Sequence, residues 1–122
     1  MEGHQDLSLS QLMEMQHSLY EANKDNWTPR TPEHGRDHIL FMIEEIGEFI
    51  AILKKKGEGA VMTDPAVRAH FLEEMSDALM YFVEILLCFS VTPEEFSASF
   101  TSKHDRNLHR DYAEEYREKF ED

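Results

Sequence analysis

The sequence predicts an all-α fold: a four-helix bundle followed by an extra C-terminal helical tail. Three observations predict it. Apolar residues recur at three- and four-residue spacing along most of the chain, and no alternating stretch bounded by hairpin turns interrupts them. Capping residues followed by proline stand where such segments begin, at Thr31-Pro32, Asp64-Pro65 and Thr92-Pro93. The connections between the segments are short, as antiparallel neighbours in a bundle require.

The first helix runs from about Ser8 to Ala22, with Leu9, Leu12, Met13, Leu19 and Tyr20 at helical spacing. Asn23 to Pro32 is a connector broken by Pro29 and Pro32, and it carries Trp27, which either covers the edge of the core or stacks on a ligand. The second helix starts at Thr31 or Gly35 and ends at Lys54-Lys55-Lys56-Gly57, where cations meet the C-terminal dipole and glycine leaves the helix. Those lysines read as dipole compensation, with a phosphate-facing role the alternative. Glu58 to Thr63 reads as a loop. Asp64-Pro65 starts a third helix reaching about Phe89, and Thr92 with Glu95 has the capping-box pattern for a fourth, ending near His109. Arg110 to Asp122 is strongly charged, with Tyr112, Tyr116 and Phe120 at four-residue spacing; it either extends the fourth helix or forms a separate tail helix.

At 122 residues the chain is expected to form one domain, with its core at about 8–110 and the charged segment at 111–122. Formal net charge is −13 and pI about 4.8, so the surface repels phosphate backbones and nucleic acid is not an expected partner. A small phosphorylated ligand would need a cation to screen the same repulsion. The single cysteine, Cys88, permits no intramolecular disulfide, which suits a cytoplasmic location, and reads as a core residue. The N-terminus lacks the basic and apolar regions of a signal peptide. The longest mostly apolar run, Ala78 to Ser90, is broken by Glu84 and too short to span a bilayer, so no membrane partner is expected.

Two segments carry carboxylates inside apolar surroundings: Ile43-Glu44-Glu45-Ile46-Gly47-Glu48-Phe49 and Phe71-Leu72-Glu73-Glu74-Met75-Ser76-Asp77. On a helix Glu44, Glu45 and Glu48 point to one side, and Phe41, Phe49 and Ile52 bracket the direction of Glu45. Burying charge there costs several kcal/mol even after relaxation, and a bound cation removes that cost. Glu74 and Asp77 lie on the flank of the apolar arc of the third helix, with Tyr81 one turn on; spacing alone leaves them between a site and a solvated edge. Glu73, Glu84 and the acids from Glu114 onward read as surface charges. An all-carboxylate set suits a hard cation, Mg²⁺ with Mn²⁺ as a substitute, or Ca²⁺. The seven histidines show no ligand-like cluster, and His34 and His38 read as solvated helix-surface residues.

At these residues the sequence resembles the all-α NTP pyrophosphohydrolases, which include the MazG proteins, the dimeric dUTPases and the dCTP pyrophosphatases. Their pattern of Glu-Glu-x-x-Glu, a gap, then Glu-x-x-Asp stands here as Glu44-Glu45-Ile46-Gly47-Glu48 and Glu74-Met75-Ser76-Asp77. The resemblance covers roughly Trp27 to Tyr112. It implies a MazG-like bundle and Mg²⁺-dependent hydrolysis of a nucleoside triphosphate between the α and β phosphates. It implies that Glu45, Glu48, Glu74 and Asp77 hold the metal, with Glu44 as a further ligand or water-activating base beside Glu45. It places Trp27, Tyr81, Lys103, Asn107 and Arg110 against the nucleotide, and implies a homo-oligomer, either a dimer or a dimer of dimers. His38 departs from the family pattern, where asparagine is frequent, as does the longer charged tail. Two other functions compete with hydrolysis: a catalytically silent nucleotide-binding or regulatory bundle, and a structural helical protein whose acids only solvate its surface.

Overall fold

The structure, a computed structural model, describes residues 4–120. Every regular element among them is helical: α1 (Leu9–Asn23), α2 (Gly35–Lys56), α3 (Glu58–Thr63), α4 (Pro65–Cys88), α5 (Pro93–Leu108) and α6 (Tyr112–Phe120), with a 3₁₀ turn at Pro32–His34. The chain divides into two compact units, Met1–Val91 and Thr92–Asp122. No single helix among the described residues is long and apolar enough to cross a membrane.

In the first unit α2 and α4 run antiparallel, since Phe49 meets Phe71 (ring centroids 5.7 Å apart) while Phe41 meets Tyr81 (5.6 Å). α1 lies against α4, and α3 against both α2 and α4. The buried apolar side chains are Met13, Ile52, Val61, Ala78, Val83, Leu86 and Cys88, so each of these four helices contributes to one core. Burial of that kind contributes roughly 1.5–3 kcal/mol per large side chain.

Helix starts follow the sequence signals. Ser8 closes a full capping box on α1: its hydroxyl accepts from the Gln11 amide (3.2 Å), and the Gln11 side chain accepts from the Ser8 amide (2.7 Å). Asp64 accepts from the amides of Ala66 and Val67, and Thr92 from that of Glu95. Of the two starts open for the second helix, Gly35 is where α2 begins; Thr31 instead opens the 3₁₀ turn, its hydroxyl 2.8 Å from His34 Nδ1.

The expected loop at Glu58 to Thr63 is a correction. These residues form α3, which buries Val61. Gly57 leaves α2 at φ 84°, a conformation open to glycine, and the chain re-enters a helix at once.

In the second unit α5 buries no side chain. The helix stops at His109, and a new one begins at Tyr112, where the Asp111 carboxylate accepts from the Glu114 amide (2.9 Å). The tail is thus a separate helix; Glu121 and Asp122 lie outside the described residues.

Candidate metal centre and ligand cavity

Glu45 on α2 and Glu74 and Asp77 on α4 each offer a carboxylate oxygen within 4.8 Å of the other two. The antiparallel pairing brings them together: the rings at 41 and 49 on α2 dock on those at 81 and 71 on α4, and Glu45 lies between the two docking points. Glu74 and Asp77, three apart on α4, both turn toward it. All three side chains are half-buried. Glu74 also meets the exposed His70 ring at 3.4 Å.

The electrostatics record how crowded the acids are. Loss of hydration raises the Glu45 pKa to about 7, helped by a hydrogen bond to Glu74 and by the charges of Asp77, Glu74 and Glu48. Burial raises Asp77 as well, with the charges of Glu74 and Glu73 adding. Tyr81 is raised by burial and then by Glu45, Asp77 and Glu44. A divalent cation among these oxygens would relieve each of these costs, and an all-oxygen donor set fits a hard ion.

Glu48 and Glu44 are exposed. Glu48 contributes its charge to Glu45 without joining the three-oxygen cluster. Position on the helix singled out Glu45 and Glu48 equally, yet the fold places Glu74 and Asp77 nearer to Glu45's oxygens.

A cavity of about 470 Å³ adjoins the acids. Its lining runs from Glu45 and Asp77 past Phe41, Met80 and Tyr81 to Trp27, Asn26 and Thr28 of the connector, and to Leu19, Gln16, His38 and Glu84. Ligand pockets occupy about 300–1,000 Å³, so a nucleoside-sized group fits. Trp27 therefore lines a cavity that Glu45 and Asp77 also border. Lys103, Asn107 and Arg110 stand in the second unit, where Arg110 donates to the Asn107 side chain (3.2 Å) and to Glu115 (2.7 Å).

Glu84 corrects the sequence reading. It is 2% exposed rather than solvated. Arg30 donates to both of its oxygens, from Nε to Oε2 and from Nη2 to Oε1 (3.0 Å), and the Gln16 amide donates to Oε1 (3.1 Å). Arg30 also donates to the Gln16 carbonyl, stacks over the Tyr20 ring at 4.1 Å, and has its own amide bonded to the Tyr20 hydroxyl. This ion pair ties the connector to α1 and α4. The partners stand 54 residues apart, so no local spacing announces it; a charge inside an apolar run was the one available signal.

His38 is a second correction. It is buried, with Phe41 and Tyr81 rings beside it, and neither ring nitrogen has a hydrogen-bond partner. Cys88 is buried as expected, and burial, then the Glu84 charge, pushes its thiol pKa up.

Compared with protein-family models, with curated proteins and with solved structures, the chain matches none.

Proposed function

We propose that the protein is a Mg²⁺-dependent nucleoside triphosphate pyrophosphohydrolase, converting a (d)NTP and water into (d)NMP and pyrophosphate. One observation carries the reading: three carboxylates from two helices converge at the edge of an aromatic-walled cavity of nucleoside size. The Glu-Glu-x-x-Glu and Glu-x-x-Asp pattern supports it, and with it a bundle of the MazG type.

In this reading Glu45, Glu74 and Asp77 hold the cation, with Glu48 as a further ligand from the same side of α2. Bound there, Mg²⁺ or Mn²⁺ would neutralise phosphate charge and stabilise the charge that develops in the transition state. Glu44 or Glu45 orients the attacking water and accepts its proton. Trp27, Phe41 and Tyr81 bind the nucleoside and exclude water from it. Lys103, Asn107 and Arg110 are assigned to the outer phosphates and sugar through the resemblance alone. The protein acts as a homo-oligomer in the cytoplasm, clearing unwanted nucleotides.

The test is pyrophosphate release from a panel of canonical and modified (d)NTPs with Mg²⁺. Release from at least one nucleotide is expected, together with a loss of about 100-fold or more in Glu45→Gln, since a misassembled metal site forfeits most of its electrostatic stabilisation. No release from any nucleotide would overturn the proposal. Tight Mg²⁺-nucleotide binding without turnover would instead identify a silent nucleotide-binding bundle.

A further inference from the structure

A second group of ligand-bearing side chains lies deeper in the first unit. Glu84 and Cys88 stand one turn apart on α4, and His38 reaches them from α2. One ligand atom from each lies within 4.8 Å of the other two, and all three residues are buried. The His38 imidazole is 6% exposed with both nitrogens unpartnered. A buried polar group without a partner costs about 1–3 kcal/mol, and the Phe41 and Tyr81 rings beside this one offer its nitrogens no hydrogen bond. The Glu84 carboxylate, by contrast, is held in place by Arg30 and Gln16. Metal-ligating carboxylates are themselves oriented by such hydrogen bonds.

We propose that His38, Glu84 and Cys88 bind a transition-metal cation of the zinc class, at a site separate from the Glu45–Glu74–Asp77 cluster. An imidazole, a carboxylate and a thiolate are the ligand types zinc accepts, whereas Mg²⁺ avoids sulfur. Bonds of about 2.0–2.3 Å place tetrahedral ligands roughly 3.3–3.8 Å apart, so small side-chain rotations close the site from its present spacing. On binding, the Cys88 S–H proton leaves to solvent and the sulfur lone pair forms the metal bond, with no change of oxidation state. The thiolate brings the ion a full negative charge, the carboxylate brings one that it shares with Arg30, and His38 gains the partner it lacks. His38 and Glu84 both line the cavity whose other side carries the exposed Asn26 and Trp27, which gives the ion a route from solvent.

The full chain, stripped with a chelator, is titrated with Co²⁺ in excess Mg²⁺ and followed by absorption. The expected result is a thiolate-to-cobalt charge-transfer band saturating at one ion per chain, lost on adding Zn²⁺. The chain holds a single cysteine, so any such band reports Cys88. Cys88→Ser abolishes the band, and His38→Gln lowers affinity for Co²⁺; Glu45→Gln leaves both unchanged. Absence of the band at saturating Co²⁺ in the unaltered chain would overturn the proposal, as would its loss in Glu45→Gln. Pyrophosphate release does not enter the readout, so this result and the hydrolase reading stand or fall separately.

Discussion

Loss of hydration and the company of Glu74, Asp77 and Glu48 raise the Glu45 pKa to about 7 in the folded chain, against about 4.3 for an unhindered glutamate. The folded state therefore holds a proton on Glu45 that the unfolded state has already released. Stability falls wherever the folded state binds more protons, so the metal-free protein loses stability as pH rises from about 4.3 to about 7. Thermal melts in chelator should show the melting temperature dropping across that window and flattening in Glu45→Gln. At pH 8, millimolar Mg²⁺ should restore it, because a ligand that binds the folded state alone stabilises it. A melt insensitive to Mg²⁺ would count against a cation at these acids. Arg30 presents the opposite case, a buried charge already matched. Arg30→Met strands Glu84 and should cost about 3–5 kcal/mol, while Arg30→Met/Glu84→Met should recover most of that loss; urea denaturation of the two variants measures the difference. Glu45 was legible in the sequence because its apolar neighbours lie within a turn on either side. Glu84 and His38 were misread because what surrounds them comes from distant segments: Arg30 and Gln16 for one, Tyr81 for the other.

The helix ends set what can be gained or lost by single changes of backbone. At the end of α4 the Val91 amide bonds the Leu86 carbonyl (2.9 Å) and the Ser90 amide the Leu87 carbonyl (3.1 Å), with Ser90 at φ 56°. This is the Schellman geometry, which favours glycine at the position Ser90 holds. Left-handed backbone costs an ordinary residue about 1–2 kcal/mol, and glycine's extra freedom when unfolded returns about half of that. Ser90→Gly should therefore raise stability by roughly 0.5–1 kcal/mol. Gly57 also stands at positive φ, and with ψ at 157° it lies in a region that is essentially glycine's alone, so Gly57→Ala should lower stability by about 1–3 kcal/mol. Chemical denaturation of both variants checks the signs, which are opposite. The α3 segment was misread because Gly57 and Gly59 punctuate it like a loop. Val61, buried on a helix that packs against α2 and α4, supplies burial that local propensity does not encode. The starts of α4 and α5 were legible because a cap is a local bond between residues two or three apart.

At the scale of the molecule, large apolar side chains remain uncovered in the first unit. Leu40, Ile43 and Ile50 are exposed on α2, and Leu72, Met75 and Leu79 on α4, each set at the spacing of one helix face. Exposed apolar surface of this kind can serve as an association face, and a second copy of the chain is the partner that the proposed homo-oligomer requires. Sedimentation equilibrium should return a multiple of 14.3 kDa, and Ile43→Arg should shift it toward the monomer. A monomeric unaltered chain would remove the oligomer from the proposed function. The all-α class was legible from periodicity alone. Which apolar positions would be covered was not, since covering depends on how helices meet rather than on the pattern of any one of them.

The bond from the Arg30 amide to the Tyr20 hydroxyl also bears on timing. Connector amides ordinarily exchange with solvent as fast as local fluctuations allow, but this one is released only when its hold on α1 is lost. Its exchange should track the opening of α1, not that of the neighbouring loop residues. The cavity wall that carries Trp27 would then open and close with the helix, as one cooperative piece.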